Sequence, residues 1–242
     1  MDLNDRVDML IQSQAKQTDA DALVSEIHPD IFFKYNSVNL VIARRGAGKT
    51  HLILREILKC VMLRECKYTQ LWYCTDKEND DTFNKISPLL ENYLEVHWIK
   101  TSEALQLIKA LELGKSELDN PEYRKALNAH SEEMPHTFIL FDDCIGLFAK
   151  NTDLGKKLYQ NRQSRTTIFL MLQDVQGISP SMKANVDSLV LFGGFSNHKF
   201  NVLMYQMPPI DGADFESYRE LLPQDYMLID YIDSTCETIY RD

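Results

Sequence analysis

The stretch VIARRGAGKTHLI, residues 41–53, has the residue types and the spacing of a phosphate-binding loop. Gly46 and Gly48 allow the backbone to approach a phosphate without a Cβ in the way, and the Lys49 ammonium follows at an offset from which it reaches the β- and γ-phosphates. The Thr50 hydroxyl that comes next is a group that binds Mg²⁺. The stretch therefore predicts a site for a nucleoside triphosphate. Its predicted nucleotide-binding residues are Ala43, Arg44, Arg45, Gly46, Ala47, Gly48, Lys49, Thr50 and His51.

One position departs from the usual pattern, because Ala43 stands where such a loop normally opens with glycine. This position mainly closes the turn after the preceding strand. Alanine is the smallest chiral residue, so we expect it to be tolerated if its φ angle is negative. A glycine-rich turn that joins a strand to a helix without binding a ligand is the alternative, but the lysine–threonine pair at this offset favours the phosphate loop.

A second motif, HTFILFDDC at residues 136–144, ends an apolar strand with Asp142 and Asp143. Ligands of open α/β sheets bind at the carboxyl ends of the strands, which is where these acids are expected. Because Mg²⁺ held by Thr50 needs a carboxylate on a neighbouring strand, we expect Asp142 to bind the metal, directly or through water, and Asp143 to orient or deprotonate the attacking water. A solvated acidic turn is the alternative for this segment alone. Together the two motifs predict hydrolysis of a nucleoside triphosphate.

Further candidates lie around the strand at residues 167–172. Gln173 ends this strand, and its amide is suited to bind the γ-phosphate or the attacking water, although it would also serve as a simple strand cap. Arg162 and Arg165 precede the strand, and either would stabilise developing charge if it were supplied across a subunit interface; a solvated basic helix end is the alternative. The predicted catalytic residues are Lys49, Asp142, Asp143, Gln173, Arg162 and Arg165, and the predicted metal ligands are Thr50 and Asp142.

These residues lie in an alternation of short apolar runs and segments with helical periodicity. Such an alternation predicts an α/β fold of the P-loop NTPase (RecA/ASCE-like) class, with a mostly parallel central sheet flanked by helices. The predicted strands are residues 38–43, 69–75, 93–99, 136–144, 166–173 and 188–195, and the predicted helices are 50–63, 102–114, 121–130 and 153–163.

The two ends of the chain differ from this pattern. Residues 1–36 begin with apolar residues at helical spacing, which predicts an N-terminal helical arm. Residues 37–242 form the predicted P-loop ATPase domain, and its last part, YMLIDYI and CETIYRD, predicts a C-terminal β-hairpin extension.

Composition limits the classes of function. The chain has 242 residues and a net charge of −10, which argues against a protein that coats nucleic acid or an anionic membrane with its whole surface but allows a narrow basic site. The five cysteines include no CxxC pair, so neither a disulfide framework nor a zinc ribbon is indicated. No apolar run reaches the roughly 18 residues of a membrane span, so we expect a soluble intracellular protein.

The segments ARRGAGKT, FILFDD, NRQSRTTIFLMLQ and MKANVD resemble those of viral genome-packaging ATPases of the FtsK/HerA superfamily, of the poxvirus type shared with giant viruses and virophages. The resemblance covers roughly residues 37–195. In that family an arginine–histidine pair, a strand that ends in glutamine and an arginine-x-asparagine segment follow the acids; here Arg162, Gln173 and Asn185 match the arginine, glutamine and asparagine. Ala43, Gln163 and Lys183 depart from the family pattern, which leaves open whether Arg162 or Arg165 acts on a neighbouring subunit.

The resemblance implies a homo-oligomeric ring, a pentamer or hexamer, that hydrolyses ATP with Mg²⁺ to drive double-stranded DNA into a preformed capsid. Its implied partners are DNA and viral capsid vertex proteins, with no membrane. Its implied location is the host cytoplasm, a viral factory or the virion. The alternatives are a small-molecule kinase, a nucleotide-gated assembly factor, or a related motor for plasmid transfer or chromosome segregation.

Two smaller hypotheses concern the chain between the motifs. Lys77, in the segment CTDKENDD, is a candidate pore-loop residue, but the acids and amides that surround it favour a solvated loop. Trp72, Tyr73 and Trp98 lie in predicted strands and are expected in the core rather than on a base-stacking surface.

Overall fold

The structure is a computed structural model, and it describes residues 27–64, 66–104, 107, 136–144, 165–174, 178 and 180–241. The strands are β1 (Val38–Ile42), β2 (Tyr68–Cys74), β3 (Glu95–Ile99), β4 (His136–Asp142), β5 (Thr166–Leu172), β6 (Ser188–Phe192), β7 (Tyr226–Asp230) and β8 (Thr235–Ile239). The helices are α1 (Lys49–Val61), α2 (Asp81–Leu90), α3 (Pro180–Lys183), α4 (Asn197–Met204) and α5 (Phe215–Tyr218), with a 3₁₀ turn at Thr101–Glu103.

The strands form one eight-stranded sheet in the order β3-β2-β4-β5-β1-β6-β7-β8. Strands β1 to β6 pair in parallel, whereas β7 and β8 add to the β6 edge as an antiparallel hairpin. All residues of β1, β5 and β6 are buried, as continuous apolar runs are in a sheet covered on both faces. The predicted α/β class with a mostly parallel sheet is confirmed.

Two apolar cores cover the two faces of this sheet. Successive strand residues point to opposite faces, so Leu40 and Ile42 belong to one core and Val41 to the other. Helix α1 packs on the Val41 face through Ile53 and Ile57, both fully buried at helical spacing. Helices α4 and α5 contribute Phe200, Leu203 and Tyr218 to the opposite face.

The parallel register decides which loops meet. Ile42 at the end of β1 is opposite Leu172 at the end of β5, and Asp142 at the end of β4 is opposite Met171. The carboxyl ends of these three central strands therefore lie side by side at one edge of the sheet, where open α/β sheets bind ligands.

Of the predicted N-terminal arm, residues 27–36 lie within the part of the chain that the structure describes. Residues 27–36 contain no helix, and Phe33 is buried with its ring edge-on to Phe138 at 5.7 Å and Phe169 at 5.1 Å between centroids. The chain thus joins the core of the domain before residue 37. Residues 1–26 lie outside the described residues.

Helix α2 was not predicted from the sequence. Asp80 caps it by accepting hydrogen bonds from the backbone N–H groups of Thr82 and Phe83, both at 3.0 Å, while Phe83 and Leu90 bury one side. The helix is short and contains Pro88, which masked its periodicity. The predicted helices at 102–114, 121–130 and 153–163 lie almost wholly outside the described residues.

Candidate nucleotide-binding site

The loop between β1 and α1 has the backbone shape of a phosphate cradle. Gly46 and Gly48 have φ angles of 80° and 94°, a left-handed conformation that glycine adopts without steric cost. Gly48 is the N-cap of α1, so the unpaired N–H groups of the first helical turn point out of the loop. Backbone N–H groups at a helix N-terminus bind phosphate.

Ala43 fits this loop without strain. It is fully buried, its φ is not positive, and its N–H donates to the Leu172 carbonyl at 3.1 Å, which extends the pairing of β1 with β5. The expectation that alanine is tolerated at this position is confirmed.

Lys49 and the paired acids come together as predicted. The Lys49 Nζ lies 3.1 Å from Asp143 Oδ1 and 3.9 Å from Asp142 Oδ1. The Thr50 hydroxyl lies 3.4 Å from Asp142 Oδ2. Residues 92 positions apart in the chain thus form one cluster because β1 and β4 flank β5.

Asp142 meets a test for a metal ligand. Its side chain is fully buried, yet its Oδ1 atom has no hydrogen-bond partner. A buried carboxylate oxygen without a partner is costly unless a ligand satisfies it, and oxygen is the ligand atom that Mg²⁺ prefers. No group of three His, Cys, Asp or Glu side chains forms a metal site within the described ranges, so the fit depends on Thr50 and Asp142 together with phosphate oxygens and water.

Asp143 has a strained backbone that directs its side chain into the same space. Its φ is 57°, and its N–H donates to the Met171 carbonyl at 2.9 Å. Partial burial raises the pKa of the Asp143 carboxyl, but Lys49, a hydrogen bond from Gln173 and the Lys77 charge outweigh burial and lower the pKa below its ordinary value. Asp143 is therefore an ionised hydrogen-bond acceptor at neutral pH.

Lys77, Tyr73 and Asp80 belong to the site, although the sequence placed none of them there. The Lys77 Nζ lies 2.7 Å from Asp142 Oδ2 and 3.3 Å from Asp143 Oδ2. The Tyr73 hydroxyl lies 2.7 Å from the same Asp142 oxygen and 3.0 Å from Asp80 Oδ2. Neither hypothesis for Lys77, a pore loop or a solvated loop, included these contacts, which hold its ammonium against the two acids.

Tyr73 and Trp98 both lie in strands but differ in how much of each side chain is exposed, which only the fold reveals. Tyr73 is buried as predicted, and burial together with Asp142 and Asp80 raises the pKa of its hydroxyl, which therefore stays protonated and donates. Trp98 was predicted in the core, but 38% of its surface is exposed because β3 is the edge strand.

A pocket of about 450 Å³ lies between these elements. It is lined by Arg45, Gly46, Gly48, Lys49, Thr50, His51, Lys77, Thr82, Asp143 and Gln173. Three predicted binding residues, Ala43, Arg44 and Ala47, do not line it. The Arg44 guanidinium instead lies over the Phe195 ring, 5.6 Å from its centroid.

The C-terminal end of the chain adds a cation beside the phosphate loop. Arg241, which follows β8, has its Nη2 atom 3.5 Å from His51 Nδ1. Its backbone N–H donates to Asp225 Oδ1 at 2.9 Å, and Asp225 is buried. Cations at a helix N-terminus oppose the helix dipole, so this arrangement favours a bound polyanion.

The two predicted arginines are not brought to this pocket. Arg162 lies outside the described residues. Arg165 precedes β5, and its carbonyl accepts from the Thr137 N–H at 3.1 Å near the start of β4. The seven residues of β5 separate it from Gln173, which is about 26 Å at the usual rise of a strand. Arg165 therefore lies at the amino ends of the central strands, whereas the pocket of its own chain lies at their carboxyl ends.

Comparisons with known proteins show the fold. No family model and no curated protein sequence matches the chain. Among solved structures, the DNA-packaging ATPase B204 from Sulfolobus turreted icosahedral virus is similar with a TM-score of 0.61 and 12% identity, over 86% of this chain and 98% of that one. B204 from Sulfolobus turreted icosahedral virus 2 in complex with ATP-gammaS has the same values. EssC (ATPases 2 and 3) from Geobacillus thermodenitrificans has a TM-score of 0.55 and 14% identity, over 85% of this chain and 39% of that one.

These likenesses confirm the P-loop ATPase fold and place viral genome-packaging ATPases among the proteins that share it, as the sequence motifs predict. In the described part of the chain, no helix is both long and apolar enough to cross a membrane.

Proposed function

We propose that this protein is an ATP hydrolase that uses hydrolysis to move double-stranded viral DNA into a preformed capsid. The observation that carries the hydrolase part is the convergence of Lys49, Asp142, Asp143 and Gln173 at the carboxyl ends of the central strands, where the buried Asp142 has an Oδ1 atom without a hydrogen-bond partner. The packaging part is supported by the sequence motifs and by the shared fold of B204, described as a DNA-packaging ATPase.

The pocket has the chemistry of a polyphosphate site. Backbone N–H groups at the start of α1 and the Lys49 ammonium face it, and Arg45 and His51 also line it. Its volume of about 450 Å³ falls in the range of small-molecule sites. Donors and positive charge on several sides of one cavity favour a polyanion over a neutral ligand.

Thr50 and Asp142 are the residues that would hold Mg²⁺. When bound, the ion supplies positive charge that neutralises the phosphates. Asp142 is fixed for this role by the Tyr73 hydroxyl, which donates to its Oδ2 at 2.7 Å and leaves Oδ1 for the ligand.

Asp143 is the residue that orients the attacking water. Its lowered pKa keeps the carboxyl ionised at neutral pH, so it accepts a hydrogen bond from water and holds it beside the terminal phosphate. Gln173 donates to Asp143 and lies exposed at the end of β5, where its amide also reaches the space that the phosphate occupies. When the terminal phosphate is lost, Gln173 at the end of β5 therefore loses one of its hydrogen-bond partners.

The position of Arg165 supports assembly into a pentameric or hexameric ring. Arg165, at the amino end of β5, cannot act on the pocket of its own chain, so a catalytic role for it requires a neighbouring subunit. A site completed by the next subunit couples hydrolysis to movement between subunits. In this proposal DNA passes through the ring, and capsid vertex proteins bind the ring. The ring acts in the host cytoplasm, in a viral factory or on the virion.

The second candidate is a motor of the same fold that moves another cargo, since the ATPases of EssC share the fold with a TM-score of 0.55. Stimulation by DNA separates the two candidates, because a motor for another cargo gains no turnover from DNA.

The test is steady-state ATP hydrolysis with and without long double-stranded DNA. We expect stimulated turnover in the wild type and a loss of at least about 100-fold in Lys49→Ala and Asp143→Asn. Subunits with Arg162→Ala or Arg165→Ala are mixed with wild type, and the arginine that acts in trans is the one whose loss poisons the mixture. Lys85→Ala, on the exposed side of α2, is the control that keeps full turnover. An ATP hydrolysis rate that does not change when DNA is added to an assembled sample would refute the packaging motor.

A further inference from the structure

Lys77 is a second lysine in the nucleotide site, and it comes from the loop between β2 and α2. Its ammonium lies 2.7 Å from Asp142 Oδ2 and 3.3 Å from Asp143 Oδ2, while Lys49 reaches the other oxygens of the same two acids. Two lysines therefore face two aspartates. Their charges balance in the absence of a nucleotide, and this balance changes when a metal–nucleotide complex enters.

Asp142 cannot serve both a metal ion and Lys77 equally well. Its Oδ2 atom already has Lys77 at 2.7 Å, the Tyr73 hydroxyl at 2.7 Å and the Thr50 hydroxyl at 3.4 Å. A divalent cation held by Thr50 and Asp142 would repel an ammonium on the same carboxylate. The terminal phosphate, which arrives with the metal, is the nearest new anion to receive that ammonium.

The neighbours of Lys77 indicate which phosphate this is. Lys77 and the glycine loop line the same pocket, and the backbone of such a loop binds the inner phosphates of a nucleotide. The Lys77 ammonium lies 3.3 Å from Asp143 Oδ2, and Asp143 is the acid assigned above to the water at the terminal phosphate. An ammonium beside Asp143 is therefore placed for the third phosphate rather than for the inner two.

We propose that Lys77 binds the terminal phosphate of the nucleotide bound to its own subunit, and that this contact makes the site prefer a triphosphate to a diphosphate. The proposal rests on the proposed function, because it requires that the pocket binds a nucleotide.

The surrounding backbone is built to hold Lys77 in this place. The Lys77 N–H donates to the Thr75 hydroxyl at 3.3 Å, and Thr75 is tied to β3 through its own N–H, which donates to the Ile99 carbonyl at 3.1 Å. On the other side, Asp80 caps α2 with Oδ1, and its Oδ2 lies 3.0 Å from the Tyr73 hydroxyl, whose one proton faces both Asp80 and Asp142. Both ends of the loop are anchored, so only the flexible lysine stem moves when the ammonium shifts from Asp142 to phosphate.

The test measures nucleotide binding rather than turnover. Dissociation constants for ATP-gammaS and for ADP, each with Mg²⁺, are determined by calorimetry for the wild type and for Lys77→Met, Lys77→Gln and Lys77→Arg. Lys85→Met, an exposed lysine on the adjacent α2, is the matched control. Circular dichroism verifies that each variant is folded, and the two neutral variants guard against one of them failing to fold.

We expect Lys77→Met and Lys77→Gln to weaken binding of ATP-gammaS by about 10- to 100-fold, the loss typical of one charge-assisted hydrogen bond, with little change for ADP. Lys77→Arg keeps most of the preference, and Lys85→Met keeps all of it. Equal losses for both nucleotides, or no loss for either, would show that Lys77 only balances the charge of the acids. A wild-type protein that binds neither nucleotide would instead refute the proposed function itself.

Discussion

Two loops at the same edge of the sheet each place a lysine on the same two acids, and they do so in different ways. The loop after β1 is rich in glycine and acts through its backbone, with Lys49 at the start of the helix that follows. The loop after β2 contains no glycine, is dominated by acids and amides, and presents Lys77 by side-chain anchoring. A loop built on backbone conformation leaves a local signature in the sequence, whereas a loop built on side-chain partners from other strands does not.

The largest expected effect separates the two lysines by what they bind. Lys49→Ala removes the charge nearest the glycine loop, so we expect it to weaken binding of ADP and ATP-gammaS alike and to lower turnover by at least about 100-fold. Lys77→Met is expected to weaken binding of ATP-gammaS but to leave the affinity for ADP nearly unchanged. The same binding measurements, made side by side, check this contrast. If Lys49→Ala also spared ADP, the two lysines would not differ in the way that their positions indicate.

The glycine loop is expected to depend on its backbone conformation. Gly48→Ala places a Cβ on a residue with a φ of 94°, which costs about 1–2 kcal/mol in free energy of unfolding and also disturbs the phosphate cradle. Urea unfolding and nucleotide binding measure the two effects. Ala47→Gly, one position earlier at a φ that is not positive, is the control, with an expected cost below about 1 kcal/mol. Equal effects of the two changes would contradict the role given to the left-handed backbone.

The loop after β2 is expected to depend on Asp80. Asp80→Ala removes the cap of α2 and one of the two carboxylates beside the Tyr73 hydroxyl, so we expect a loss of about 1 kcal/mol in stability, up to about 2, and a weaker preference for ATP-gammaS over ADP. Asp81→Ala, the next residue in the chain, removes an acid that does not cap the helix and serves as the control. Unchanged stability in Asp80→Ala would show that this loop is not held by its side chains.

The smallest expected effect is a change in acid sensitivity. Because the folded-state pKa of Asp143 lies below its ordinary value of 3.8, its ionised form stabilises the fold above that pH, and this contribution is lost as the pH falls through the folded-state pKa. Urea unfolding between about pH 3 and pH 6 should therefore show a shallower loss of stability on acidification in Asp143→Asn than in the wild type. Gln173→Ala, which removes one of the stabilising partners, should lie between them. A steeper acid loss in Asp143→Asn would reverse the sign that these contacts predict.

The predicted site residues that the structure brings together have signals that depend on short stretches of chain. Glycines before Lys49 and acids after an apolar strand are recognisable within ten residues, because a tight turn and a buried strand are local structures. Helix α2 was missed because it is short and contains Pro88, which masked its periodicity. The exposed side of Trp98 was missed for another reason: it depends on β3 lying at the edge of the sheet, and periodicity in one segment carries no information about its neighbours.

The sequence by itself determined the strand–loop–helix of the predicted phosphate loop, the strand that ends in Asp142 and Asp143, and the parallel α/β class, because these follow from local conformation and apolar periodicity. Only the tertiary structure decided that β2 lies beside β4, and hence that Lys77 and Tyr73 contact Asp142. It also decided that Arg165 lies at the amino ends of the central strands and that Arg241 lies beside the phosphate loop. The physical reason is that strand order brings together residues far apart in the chain, and the pairing of strands is chosen by the packing of the whole core.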